Sequence, residues 1–79
     1  PTHVLIVPNQ HYDTLNELQA ADQALAGRLL LAVRDIAAAA GIAESGYKTV
    51  INTNRDGGQE VFHLHIHLVG GKPLRLVPQ

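Results

Sequence analysis

Val61-Phe62-His63-Leu64-His65-Ile66-His67-Leu68-Val69 is the stretch whose reading decides the fold of this chain. It holds three of the five histidines, at every second position, with Leu64, Ile66 and Leu68 between and after them. A period of two is that of a β-strand, whose side chains alternate between the two faces of the sheet. His63, His65 and His67 are therefore expected on one face, and Leu64, Ile66 and Leu68 on the other, which enters a core. Successive histidine Cα atoms in such a strand stand roughly 6.6–6.8 Å apart, close enough for the imidazoles to meet on a phosphate or a metal ion. Gly70-Gly71 is expected to end the strand.

Working outward, residues 47–52 read as a second strand, joined to the histidine strand by the turn-rich stretch 53–59. The Asp56-Gly57 pair in that stretch is a hairpin signal. Residues 3–7, bounded by Pro1 and Pro8, read as a buried strand. Residues 8–11 form a turn, and Thr14-Leu15-Asn16-Glu17 fits a capping box. A second start signal lies at Asp22. Residues 20–40 are helical in pattern, with Leu25, Leu29, Val33, Ile36 and Ala40 on one stripe and Gly41 as the natural terminator. Leu30 and Leu31 widen the apolar surface beyond what one sheet needs, which predicts a second packing partner such as another subunit. Residues 70–73 read as a turn and 74–79 as a tail. The order strand, helix, strand, hairpin, strand gives an α+β class: an antiparallel sheet with one long helix packed on it.

A chain of 79 residues is one domain. At that size only about 60–65% of the unfolded surface is buried, so the domain is marginal alone. With no cysteine there is neither a disulfide framework nor a thiolate metal site, which suits a reducing compartment such as the cytoplasm. The net charge of −1 is scattered. No basic stripe points to nucleic acid, and no polybasic patch or long apolar run points to a membrane. The chain contains no methionine and opens directly on a strand, so the expectation is that an N-terminal piece is missing.

Three chemistries compete for the triplet of histidines. They can be polar residues on a solvated face, although three in alternation with no Lys, Glu or Thr among them disfavours that. They can chelate a metal, with Glu60 or His3 as a further ligand. Or a neutral imidazole can attack phosphorus and form a covalent intermediate. Adjacent imidazoliums repel, which keeps one ring neutral, and a central ring has a neighbour on either side to hold its tautomer or to donate a proton. That geometry favours His65 as nucleophile.

The run from Gln59 through His63, His65 and His67 to Gly70-Gly71 resembles the signature of the histidine-triad (HIT) superfamily. The flanks, 52–59 and Pro1-Thr2-His3-Val4-Leu5-Ile6-Val7-Pro8, resemble the Hint branch, especially its bacterial purine nucleoside phosphoramidases. The resemblance implies a single HIT domain over residues 1–79, the C-terminal two thirds of a typical member, whose sheet and helix are completed in a homodimer. It implies hydrolysis of nucleoside phosphoramidates or acyl-nucleotides at the α-phosphorus through a nucleotidyl-histidine, with release of a purine nucleoside monophosphate and no cofactor or metal. His65 matches the nucleophile, His63 and His67 its partners, and His3 a further histidine near the triad. Asn52 matches a residue of the phosphate region, Gln59 borders the phosphate, and Leu5 lies where the nucleoside pocket is lined. Glu60 departs from the animal members, which carry serine there. Bacterial members carry glutamate, and a carboxylate beside an anionic substrate has to turn outward, be protonated or meet the leaving amine. The resemblance further implies an upstream segment holding the ribose-binding aspartate, which this sequence lacks. His11 reads as a turn residue. The alternatives are a dinucleoside polyphosphate hydrolase of the same superfamily and a non-catalytic nucleotide-binding or scaffold protein.

Overall fold

The computed structural model describes residues 2–71. Three strands, β1 (Thr2–Ile6), β2 (Tyr47–Val50) and β3 (Ile66–Gly70), form an antiparallel sheet in the order β1-β3-β2. One long helix, α1 (Gln23–Ala39), packs on one face of it. The expected tail, residues 74–79, and the Lys72-Pro73 part of the expected turn lie outside the described residues.

The central strand owes its place to its sequence. Ile66 and Leu68 point to the helix and are buried, joined there by Ile6, Val33, Ala37 and Ile42. Leu68 is fully enclosed. The register pairs Ile6 with Ile66 and Val4 with Leu68 on this face, and Leu5 with His67 and His3 with Val69 on the other. Burial of this kind stabilises by about 1.5–3 kcal/mol per large aliphatic side chain, and a slip of one residue would move the whole set into water.

β3 is shorter than its histidine pattern predicts. The alternation of exposure runs from His63 to Gly70, yet strand pairing begins only at Ile66. The cause is the partners. Beyond the Ile6–Ile66 pair the first strand soon reaches Pro8, which has no N–H to give, and the second strand stops at Val50, opposite His67. His63 and His65 therefore sit in bent chain ahead of the strand, and Leu64 N–H bonds the Tyr12 carbonyl instead, at 2.7 Å.

The strand ends at Gly70-Gly71 as expected, with Gly70 as its last paired residue, opposite Thr2 and Tyr47. A Cβ at Gly70 would lie 2.8 Å from Ile42 Cδ1, 3.0 Å from Tyr47 Cβ and 3.1 Å from the Gly46 carbonyl. Gly71, at φ 97°, turns the chain away. The expected tight hairpin at Asp56-Gly57 is also corrected. β2 and β3 are joined by the long connection 51–65, in which Arg55–Gly57 make a 3₁₀ turn between positive φ values at Asn54 (57°) and Gly58 (73°).

At the helix the capping signal at Thr14 starts a 3₁₀ turn, Leu15–Glu17, with Asn16 N–H bonded to Thr14 Oγ1 at 3.0 Å. The reciprocal Glu17 bond of the expected capping box is not formed there; instead Gln19 N–H donates to Asp22 Oδ2 at 2.9 Å, and the 3₁₀ turn Ala20–Asp22 leads into α1. The helix ends as its Gly41 predicts. Ile42 N–H bonds the Ala37 carbonyl and Gly41 N–H the Ala38 carbonyl, both at 3.1 Å, with φ 76° at Gly41. That is a Schellman ending, and it seats Ile42 on Ala37 in the core. Ala37 takes the buried position expected of Ala40, because Ala40 already belongs to the cap. Leu30 and Leu31 are 64% and 50% exposed, so the broad apolar surface read from the sequence faces solvent in the single chain. Tyr47 and Phe62, read as core or partner-facing, are exposed as well.

Candidate active site

The outer face of the sheet carries the first histidine group. His3 and His67 lie on adjacent strands, offset diagonally across the β1-β3 ladder, within reach of long or aromatic side chains. Their Nε2 and Nδ1 atoms are 3.1 Å apart, and the ring centroids 5.3 Å. The His65 ring meets that of His67 edge-on at a centroid distance of 5.1 Å. Desolvation first, and then the neighbouring His65 and His3, hold the His67 pKa below the usual 6.5. A ring in that state is neutral at pH 7.

His65 has a defined tautomer. Its Nδ1 lies 2.7 Å from the backbone carbonyl of His63, and a carbonyl only accepts. Nδ1 therefore carries the hydrogen, and in the neutral ring Nε2 keeps its lone pair free. His65 borders two adjoining clefts. One, of about 280 Å³, is lined by Leu5, Val7, Val61, His63 and His65. The other, of about 200 Å³, is lined by Leu5, Asn52, Gly58, Gln59, Glu60, Val61, His65 and His67. Every residue expected in the site except His3 borders one or both clefts, and His3 reaches it through His67.

The expectation that all three histidines act as one row is corrected. His63 turns from His65 toward His11, with ring centroids 4.7 Å apart and planes at 89°. Its Nε2 lies 3.1 Å from the Pro8 carbonyl. The absence of strand pairing at residues 63–65 is what frees the ring to turn. Among the described residues no three His, Cys, Asp or Glu side chains are grouped so as to hold a metal ion.

Residues 52–61 of the connection build the rest of the second cleft's wall. Gln59 is buried, and its side-chain amide is occupied on three sides. Nε2 donates to the Asp13 carbonyl at 2.8 Å and the Val61 carbonyl at 3.1 Å, while Oε1 accepts from Asn54 N–H at 2.9 Å. Gln59 thus borders the cleft while its amide holds the loop. Asn52 Nδ2 donates to the Gly57 carbonyl at 2.7 Å, which closes the same loop. Glu60 is exposed at its rim. Asn54 adopts φ 57° and ψ −168°, a conformation that costs a non-glycine residue about 1–3 kcal/mol and persists because the Gln59 bonds hold it.

Sequence reasoning missed His11, Asp13, Val7 and Val61. Val7 and Val61 extend the two apolar runs already noted. His11 matches a histidine often found after the first strand in the family that the sequence resembles but reads as a turn residue, Asp13 carried no signal, and the contact of His11 with His63 spans 52 residues of chain.

The HIT domain family model matches residues 1–74. The chain is 50% identical over 74 residues to the purine nucleoside phosphoramidase of Escherichia coli K12, covering 94% of this chain and 62% of that protein. It is 54% identical over 78 residues to an uncharacterized HIT-like protein of Synechococcus elongatus, covering 99% of this chain and 68% of that one. The fold superposes on a HIT family hydrolase from Legionella pneumophila with a TM-score of 0.96 at 42% identity, covering all of this chain and 70% of the other. On a histidine triad protein from Clostridium difficile the TM-score is 0.93 at 35% identity, with 99% and 68% covered. The chain thus spans about two thirds of the length of the relatives it matches.

Proposed function

The chain belongs to the HIT domain family, and from that premise we propose that it is a hydrolase of nucleoside phosphoramidates or acyl-nucleotides. The reaction runs through a nucleotidyl-histidine at His65. Nε2 attacks the α-phosphorus and the bond to the leaving group breaks, an amine departing with a proton from the histidine cluster and an acyl group departing as its carboxylate. Water then cleaves the P–N bond, releases a nucleoside monophosphate and restores the neutral ring. The observation that carries this reading is the Nδ1–H bond from His65 to the His63 carbonyl, which leaves Nε2 as the free lone pair beside two clefts. A purine nucleoside is the substrate class, in line with the name of the Escherichia coli relative. Leu5, Val7 and Val61 supply apolar wall for it, and Asn52 with the backbone at Gln59 borders the phosphate.

The exposed Leu30 and Leu31 suit pairing with a second copy in a homodimer. No helix among the described residues is long and apolar enough to cross a membrane. A cytoplasmic setting fits a nucleotide substrate and a chain without cysteine.

The test is turnover of adenosine phosphoramidate against diadenosine polyphosphate, with intact mass after an alkaline quench. The expected result is preference for the phosphoramidate and a single nucleotidyl adduct on His65. Preference for the dinucleotide would move the assignment to polyphosphate hydrolysis, and binding without any adduct or turnover would make the chain a nucleotide-binding protein.

A further inference from the structure

We propose that Asp13, His11 and His63 form a relay that holds one extra proton beside the cleft, so that His63 presents a cationic pair to the substrate and Asp13 and His11 act as positioning residues behind it. Three contacts carry the argument. His11 Nε2 lies 2.5 Å from Asp13 Oδ1, His11 Nδ1 lies 3.2 Å from His63 Nδ1, and His63 Nε2 lies 3.1 Å from the Pro8 carbonyl.

Each contact needs one hydrogen. The Pro8 carbonyl can only accept, so His63 Nε2 donates. An exposed carboxylate is a far weaker base than imidazole, so at neutral pH Asp13 accepts and His11 Nε2 donates. One more hydrogen must lie between the two Nδ1 atoms, since two facing lone pairs repel. That makes three hydrogens on two rings. Two neutral imidazoles carry two, so the pair holds one positive charge, balanced by Asp13. Loss of the third proton has to break one of the three contacts.

The relay is built into the fold. The buried Tyr12 anchors the segment through its hydroxyl, which donates to Asp22 at 2.8 Å. His11 and Asp13 on either side of it turn outward together. The Tyr12 carbonyl is tied to Leu64 N–H and the Asp13 carbonyl to Gln59 Nε2, so residues 11–13 are pinned to the loop that leads into the triad. An exposed His–Asp pair by itself contributes little. Its consequence here is for His63, which shares the cleft with His65. Asp13 faces the relay from its own segment, and His65 lines the same cleft as His63. A cation at His63 attracts the phosphate that His65 attacks. This role rests on the proposed function, whereas the proton count does not.

The experiment is long-range ¹H–¹⁵N correlation on histidine-labelled protein at neutral pH, with Asp13→Asn alongside. The expected result is three protons on the His11–His63 pair in the wild type and two in Asp13→Asn. Two neutral rings in the wild type, or an unchanged pair in Asp13→Asn, would overturn the relay. Asp13→Asn leaves the backbone carbonyl that Gln59 holds, so the fold is retained. In turnover, kcat/KM for a nucleoside phosphoramidate falls roughly 10- to 100-fold in Asp13→Asn, the worth of one charge-assisted hydrogen bond. Asp13→Glu recovers part of it, and the pH profile between about 5 and 8 changes shape. A wild-type profile and rate in Asp13→Asn would also overturn the relay's role. If the wild type turns over no phosphoramidate, the proposed function is what fails, and the proton count still decides the relay.

Discussion

His3, His65 and His67 stand on or next to the sheet, whereas His11 and His63 stand in the loops beside it, and the two groups are fixed by different means. In the sheet group the ladder sets the positions. Once Ile66 and Leu68 are buried, His67 has to face outward, and the pairing of His3 with Val69 and Leu5 with His67 brings the His3 ring to it. No carboxylate contacts these rings among the described residues, and desolvation leaves His67 neutral. In the loop group single side-chain and backbone bonds set the positions, above all those of Gln59 and Leu64, and a carboxylate stands at the end. Regular structure places a ring as a by-product of burying its neighbours. A loop needs a dedicated buried polar residue to do the same, and in exchange it can bring in a charge that a half-buried strand face would not tolerate.

The largest effect expected on this contrast comes from His65, where the two groups meet. His65→Ala should lower phosphoramidate turnover by at least about 10⁴-fold while leaving the melting temperature nearly unchanged. Near wild-type turnover in steady-state assays would show that neither group serves this nucleophile. Gln59→Ala comes next. It strands the Asp13 and Val61 carbonyls and the Asn54 N–H, and should cost about 2–3 kcal/mol in chemical denaturation. Its histidine spectra should change at His11 and His63 and stay the same at His3 and His67. If both groups move together, the separation drawn between them is lost.

Gly70→Ala is the converse. Its added Cβ presses on Ile42, Tyr47 and the Gly46 carbonyl, at an expected cost of about 1–2 kcal/mol. The shift should appear at His3 and His67, because the strand that carries His67 must move, and not at His11. The smallest effect concerns pH. A histidine whose folded pKa is depressed binds fewer protons folded than unfolded. Its stabilising contribution is therefore complete above the usual 6.5 and is lost as pH falls through the folded value. The melting temperature should drop as the pH falls from 6.5 to the folded value, and His67→Gln should show a smaller drop. An identical pH dependence in the two proteins would argue against a neutral His67.

Much of the sheet group was legible beforehand. A period of two with aliphatic residues between histidines specifies which face each ring takes, and the resemblance to the HIT pattern supplied His3, Asn52, Gln59 and Leu5 as neighbours. What misled was the length of the strand. Alternation is a property of the chain, but pairing is a property of the partner, and Pro8 withholds that partner from residues 63–65. The glycine pair marks the end of the strand as read, but the need for glycine at position 70 is tertiary, set by Ile42, whose position follows from how α1 ends.

The sequence by itself determined the class of fold, the core face, the end of the helix at Gly41 and the outward set of histidines, because each follows from local periodicity or from a residue with a single conformational use. Only the tertiary structure decided that the histidines divide into two groups, that His65 keeps Nε2 free, and that Asp13 and His11 reach His63. Those contacts join residues far apart in the chain through a loop held by one buried glutamine, and nothing in local periodicity encodes a hydrogen bond between distant segments.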